Sequence, residues 1–272
     1  MNQSYELIDS GDGVKLEQFG PFRLVRPCAQ AMWPRRLPLT VWNQADAVFS
    51  REGGNRWQIR TALPKEWVAV IKGVKFKISP TDFGHVGVFP EHSVWWEEMD
   101  RLVRKRPCSV LNLFAYSGGA TLAAARAGAK VCHLDASKGM VGWARENAAL
   151  NQMEQAPIRW IVDDVMKFLQ REEKRGVRYD GIILDPPSFG RGSRGEIFKI
   201  ESDLLPILRK CRHLLSDNPL FVFLTTHTPG MTPLVMHRLL SEMMGGSAQI
   251  SSGELVIGDA LPSGCYAKWT DE

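Results

Sequence analysis

A chain of 272 residues, 44% hydrophobic and 24% charged, can bury a core large enough to need neither disulfides nor metals for stability. No run approaches the roughly 18–20 apolar residues of a membrane helix, and the opening MNQSYELIDSGDG lacks the basic and apolar regions of a signal peptide. The five cysteines, at 28, 108, 132, 211 and 265, form no CxxC, so neither a disulfide framework nor a zinc site is expected and a reducing cytoplasm is the expected location. The formal charge of +4 is uneven: residues 1–80 carry 12 Lys/Arg against 7 Asp/Glu, and residues 81–272 carry 22 against 23.

In chain order, residues 1–82 read as a small, mostly β domain. Short alternating runs (SYELIDS, VKLEQFG, FRLVRP, RWQIRTAL, WVAVIKGVKFKIS) are broken by Gly, Pro and Asp. Trp33, Trp42, Trp57 and Trp67 sit among Arg35, Arg36, Arg51, Arg56, Arg60 and Lys65. Two readings stand side by side: aromatics and cations that stack bases and neutralise phosphates, or a Trp-rich core under a basic surface. On the first, this domain is the candidate RNA-binding part.

After SPTDFGHVGVFPEHS the texture changes. Residues 94–106 carry apolar side chains near helical spacing and predict a helix leading into a second domain, 83–272. Strands are then expected at 109–114, 130–134, 158–162, 179–184 and 220–225, with helices at 120–127, 138–151, 166–174, 202–215 and 234–244 between and after them. Alternating apolar strands and helices imply an α/β fold whose parallel sheet is covered by helices on both faces. Extended segments at 249–255 and 266–269 would add an edge hairpin.

Ligands of such sheets sit beyond the carboxyl ends of the strands. At the first end, Phe114–Ala115–Tyr116–Ser117–Gly118–Gly119 allows a tight turn and close approach to a helix N-terminus. The dinucleotide pattern G-x-G-x-x-G is incomplete there, and alone the pair could be a plain turn. Asp135, followed by Ala136 and Ser137, closes the next strand, where a carboxylate can take both ribose hydroxyls or merely cap a helix. Asp164, ahead of Val165, is placed to accept an adenine amino group, with Asp163 the less favoured candidate. Asp185-Pro186-Pro187-Ser188-Phe189 is the most informative end. Two prolines fix an extended loop whose carbonyls can accept from a planar amine while Phe189 stacks on its ring.

The segment 83–270 resembles the class I S-adenosylmethionine-dependent methyltransferases with a Rossmann-like sheet. Within them it resembles the bacterial 23S ribosomal RNA cytosine-C5 methyltransferases. The anchors are GVFPEH (87–92), VLNLFAYSGGATLAAARAGA (110–129), VCHLDAS (131–137), ENAALN (146–151), VDDVMKFL (162–169) and DPPSFGRG (185–192). The resemblance implies S-adenosylmethionine as cofactor, held by Phe89, residues 114–119, Asp135 to Ser137, Asp164, Val165 and Asp185. Asp185, Pro186, Pro187 and Phe189 would be the catalytic loop, and Ser188, Arg191, Arg194 and His227 would meet a ribosomal RNA substrate; no membrane and no metal are expected.

Three departures stand out. Methylation of cytosine C5 requires a thiolate to add at C6, yet Ser188 and the LTTHTPGM stretch (224–231) occupy the places where that cysteine would stand. GVFPEH keeps Glu91 but lacks the Arg of the family pattern. The N-terminal domain does not show the family's usual RNA-binding module. Transfer to a ring nitrogen needs mainly alignment, so chemistry favours nitrogen while overall likeness favours carbon. The alternatives are a protein methyltransferase acting on a glutamine-type amide and a non-catalytic RNA-binding relative; NAD-linked oxidoreduction is the weakest.

Overall fold

The computed structural model describes residues 4–52, 54–192, 195–246, 248–258 and 261–272. The chain forms two compact units, Met1–Ser93 with Val256–Ser263, and Val94–Leu255 with Gly264–Glu272.

In the first unit, β1 (Tyr5–Gly11), β2 (Val14–Phe19), β3 (Phe22–Pro27), β4 (Ala47–Ser50) and β5 (Arg56–Ile59) form one sheet in that order, with the short helix α1 (Leu39–Trp42) between β3 and β4. β6 (Trp67–Ile71) and β7 (Val74–Ile78) form a separate hairpin. The run expected as WVAVIKGVKFKIS is therefore two strands. Lys72 and Gly73 both have positive φ (47° and 78°), the geometry of a two-residue hairpin turn. β4 has no counterpart among the expected runs. The tryptophans are built into this unit. Trp42 and Trp67 are buried, and the indole N–H groups of Trp33, Trp42, Trp57 and Trp67 donate to Ser10 O, Asp9 Oδ2, Thr81 O and Phe19 O. For Trp42 and Trp67 the core reading holds, because a buried ring has no face left for a base. A buried Glu17 accepts from Arg26 at 2.8 and 2.9 Å and from Tyr5 Oη at 2.9 Å, so the one fully buried acid of this sheet is paired, as burial demands.

The second unit holds α2 (Trp96–Val103), β8 (Ser109–Leu113), α3 (Gly119–Ala127), β9 (Lys130–Asp135), α4 (Lys138–Leu150), β10 (Ile158–Val162), α5 (Val165–Lys174), β11 (Gly181–Leu184), β12 (Phe189–Arg191), β13 (Ile197–Lys199), α6 (Ile200–Leu214), β14 (Phe221–Thr226), α7 (Pro233–Met244), β15 (Ile250–Ile257) and β16 (Leu261–Thr270). The last two strands run into the residues 256–263 that belong to the first unit. The sheet order is β10-β9-β8-β11-β14-β16-β15, parallel through β14, with β16 antiparallel to it. This is the Rossmann-like sheet expected, including the edge hairpin.

Alternation along the strands sends side chains to two faces. Leu111, Leu113, Leu134, Ile182, Leu184, Val222 and Leu224 join residues of α5, α6 and α7 in one core. From the other face, Asn112 and His133 bond with Thr121 of α3. The central strands β11 and β14 are buried along their whole length, which is why they read as unbroken apolar runs. Gly181 is required by proximity: a Cβ there would lie 2.5 Å from the Phe221 ring. Ser137, Asp164 and Thr232 cap α4, α5 and α7 by accepting from Met140 N, Lys167 N and Val235 N. No helix among the described residues is long and apolar enough to cross a membrane.

Candidate functional site

The turn after β8 is held in an uncommon backbone conformation. Phe114 and Tyr116 have φ of 55° and 49°, and Gly118 has φ of 91°. Non-glycine residues in this region cost free energy and persist only where their surroundings fix them. Two side chains do the fixing. Asp135, at the tip of β9, accepts from Tyr116 N (2.9 Å) through Oδ2 and from Ser137 N (2.8 Å) through Oδ1. Asn147 of α4, fully buried, donates to Ser117 O at 2.9 Å. A Cβ on Gly118 would meet Ala144 Cβ at 3.0 Å, so both its φ and its packing call for glycine. The turn thus leaves the first amides of α3 facing the end of the sheet, beside a carboxylate. Burial pushes the Asp135 carboxyl above the ordinary range, and the two backbone donors pull against it.

Beneath the turn lies a polar relay that no motif announces. Asn112 Nδ2 donates to Thr121 Oγ1 (2.9 Å), which lies 2.9 Å from His133 Nδ1. With the amide proton given to Thr121, the Thr121 hydroxyl donates to Nδ1, and the ring proton belongs on Nε2. Burial drives the His133 pKa down to about 3, so the imidazole is neutral in the fold. The folded state therefore binds fewer protons than the unfolded chain between about pH 3 and pH 6.5. Stability attributable to His133 is complete above 6.5 and falls by about 1.4 kcal/mol per pH unit below it. Urea denaturation at pH 7, 6 and 5 should show the stability gap between the wild type and His133→Gln shrinking, by about 0.7 kcal/mol from pH 7 to 6 and about 1.2 kcal/mol from pH 6 to 5; a pH-independent gap would contradict the neutral imidazole.

At the end of β10, Asp164 spends Oδ1 on capping α5 through Lys167 N (2.9 Å), which leaves Oδ2 for a ligand. Val165 is the first residue of α5, so its N–H has no acceptor within the helix. Asp163 is ion-paired with Arg171.

At the end of β11, Asp185 is half-buried, Pro186 buried, and Pro187, Ser188 and Phe189 exposed. Thr225 donates to Asp185 Oδ1 at 2.7 Å, and His227 Nδ1 lies 3.9 Å from the same oxygen. Hydroxyls tie the rest of the loop to β14: Thr226 Oγ1 is 3.4 Å from Pro186 O and 3.0 Å from Thr228 Oγ1, which is 2.9 Å from Ser188 Oγ. The Pro186 carbonyl, expected to be open to a planar amine, already faces the Thr226 hydroxyl. Beyond the loop, β12 and β13 pair as a small hairpin. Phe198 on β13 packs against Phe114 of the first turn, centroids 5.1 Å apart. Arg191 lies over the Phe189 ring at 5.8 Å.

The turn 114–119, Asp135 to Ser137, Asp164 with Val165, and Asp185 to Phe189 with His227 thus all stand at the carboxyl ends of β8, β9, β10, β11 and β14. Phe89 belongs to the first unit, half-buried, its ring 5.2 Å from that of His85 and 5.8 Å from that of His92. Arg194 lies outside the described residues. Sequence reasoning missed Asn147, Thr225, Thr226 and the Asn112–Thr121–His133 relay. ENAALN was legible as an anchor of the resemblance, but nothing in it marked Asn147 as the residue that holds the turn.

A family model of S-adenosylmethionine-dependent methyltransferases matches residues 50–238. The chain belongs to that family. It is 31% identical over 203 residues to the ribosomal RNA large subunit methyltransferase K/L of Shewanella sp. (strain ANA-3), covering 74% of this chain and 27% of that protein. With the enzyme of the same description from Pseudoalteromonas atlantica it shares 37% over 139 residues, 50% of this chain and 19% of the relative. The chain therefore spans about a quarter or less of these curated relatives. Over nearly full length it is similar to a solved SAM-dependent methyltransferase of Agrobacterium tumefaciens (46% identity, TM-score 0.94, 99% of this chain and 91% of that one). A second solved protein, complexed with SAH, shares the fold at 18% identity (TM-score 0.77, 98% of this chain and 75% of that one).

The family's cofactor, S-adenosylmethionine, fits the residues present. Asp135 retains acceptor capacity on both oxygens for a diol, since each carboxylate oxygen accepts more than one bond.

Proposed function

We propose that this protein methylates a nucleobase in ribosomal RNA, with Asp185-Pro186-Pro187-Ser188 presenting the base to the cofactor. The observation that carries the reading is the tethering of that loop by Thr225, Thr226 and Thr228 beside the cofactor turn. When bound, S-adenosylmethionine supplies an electrophilic methyl on a sulfonium. The protein's task is then to orient: Asp135 holds the ribose, Asp164 and the Val165 N–H the adenine, and residues 114–119 the methionine portion, with Phe89 a further cofactor residue that the resemblance implies. Asp185 and the proline carbonyls align a planar amine or ring edge, Phe189 covers the base, and Ser188, Arg191, Arg194 and His227 complete the substrate side. Residues 1–82, with their basic excess, contribute phosphate contacts.

A nitrogen acceptor is favoured over cytosine C5. The latter needs a thiolate, and all five cysteines are buried with thiols pushed up by that burial, Cys132 and Cys265 to about 11. The relatives described as ribosomal RNA methyltransferases support the choice of polymer.

The test is incubation with methyl-labelled S-adenosylmethionine and separated total RNA and protein from cells lacking this chain, followed by nucleoside mass spectrometry. Label in a ribosomal RNA nucleoside, on nitrogen, is the expected result. Label confined to the protein fraction would establish a protein methyltransferase instead, and label in neither would favour an RNA-binding relative without activity.

A further inference from the structure

The hairpin that follows the Asp-Pro-Pro loop has two unlike faces. β12 and β13 pair Phe189 with Lys199, Gly190 with Phe198 and Arg191 with Ile197. Because alternate residues of a strand point to opposite faces and directly paired residues share one, Phe198 is on the inner face with Gly190. There it packs onto Phe114 and the sheet core. Phe189, Arg191, Ile197 and Lys199 share the outer face, and all four are exposed. Phe189 and Ile197 keep 50% and 58% of their surface in solvent. Among the described residues neither Arg191 nor Lys199 has an ion-pair partner. The acids nearby are engaged elsewhere: Glu196 pairs with Lys167, and Asp203 accepts from Lys199 N and Ser202 Oγ.

We propose that this outer face is a docking track for the single-stranded RNA segment next to the target base. Lys199 and Arg191 take successive phosphates, and Ile197 underlies an unstacked base next to the one that Phe189 covers. Two uncompensated cations beside two large apolar surfaces match a chain that offers phosphates and flat base faces together; an apolar partner would leave the cations unpaired. The track is continuous with the site, since Phe189 directly follows Ser188. Its inner face rests on Phe114, so the strand is presented at the cofactor turn. Lys199 and Ile197 thereby acquire a role in substrate binding that no motif assigned to them. This inference rests on the RNA reading above.

The test uses the full chain and a fluorescein-labelled, mixed-sequence single-stranded RNA 12-mer, with anisotropy measured from 50 to 200 mM salt. Arg191→Gln/Lys199→Gln should bind at least tenfold more weakly at the lowest salt, and the log–log salt slope should become shallower by about 1.4, at about 0.7 per lost phosphate contact. Ile197→Ser should weaken binding without changing the slope. A control pair of exposed cations at the opposite end of the sheet, Lys130→Gln/Arg178→Gln, should leave the slope near that of the wild type. Melting temperature and SAH affinity by calorimetry should stay at wild-type values in every variant, which separates a lost contact from a lost fold. Wild-type affinity and slope in the Arg191/Lys199 variant, with the wild type still methylating RNA, would overturn the track alone. Absence of RNA binding by the wild type, with methyl transfer to protein, would overturn both the track and the RNA reading.

Discussion

Replacing Asp135 by alanine is expected to weaken S-adenosylmethionine and SAH binding by about 10²–10⁴-fold, read by calorimetry. Two bonds from ribose hydroxyls to a charged acceptor are lost, at about 1.5–3 kcal/mol each. The structure adds a second source of loss. The same carboxylate accepts from Tyr116 N and Ser137 N, so its removal also releases the turn whose positive-φ residues Phe114 and Tyr116 have to be fixed from outside. Asp135→Asn separates the two contributions. An amide oxygen can keep one backbone donor while its NH2 group opposes the other, so its loss should be intermediate. Because burial raises the Asp135 pKa, wild-type affinity should also begin to fall at a higher pH than for an ordinary aspartate, as the protonated carboxyl gives up acceptor capacity. Unchanged affinity in Asp135→Ala would remove the ribose assignment.

The contrast between Asp135 and its supports shows which parts of this protein were legible in the sequence. Parallel strands such as β11 and β14, buried on both faces, leave a continuous apolar signature, and the residue after each strand is placed by topology; Asp135, Asp164 and Asp185 follow from those two facts. β4 and the hairpin β12–β13 did not show. β12 and β13 are three residues each, too short to display a period of two, and GRGSRG reads as a loop; the four residues of β4, AVFS, show no polar–apolar alternation. Thr225 and Asn147 were invisible for another reason. Their roles depend on which carbonyl or carboxylate lies opposite them in space, 40 residues away for Thr225–Asp185 and 30 for Asn147–Ser117, and composition around either residue is unremarkable. The tryptophans show the converse: a pattern suggestive of base stacking arises from indoles whose N–H groups tie loops to the sheet.

Cys265→Ser is expected to keep methyl transfer within about threefold of the wild type, whereas Asp185→Ala and Phe189→Ala should each lose at least about 10²-fold through misplacement of the base. Cys265 is the cysteine nearest the reaction by register, since β16 pairs it directly with Thr226 of β14, so it is the one candidate for a covalent nucleophile. Its environment argues against that role. The side chain is buried, its Sγ lies 3.9 Å from Glu254 Oε2, and burial together with that carboxylate pushes the thiol up to about 11. At neutral pH about one molecule in 10⁴ would carry a thiolate, against a few per cent for an unperturbed cysteine and far more where a cation or helix N-terminus lowers the pKa. Asp185, by contrast, is fixed by Thr225 at 2.7 Å, and its loss frees the loop and removes a partner of His227. The decisive comparison is with RNA carrying 5-fluorocytosine, which traps an enzyme that adds a thiolate at C6. The wild type should form no denaturation-resistant complex with it. A complex that forms with the wild type and disappears in Cys265→Ser would place the methyl on carbon and make Cys265 the nucleophile.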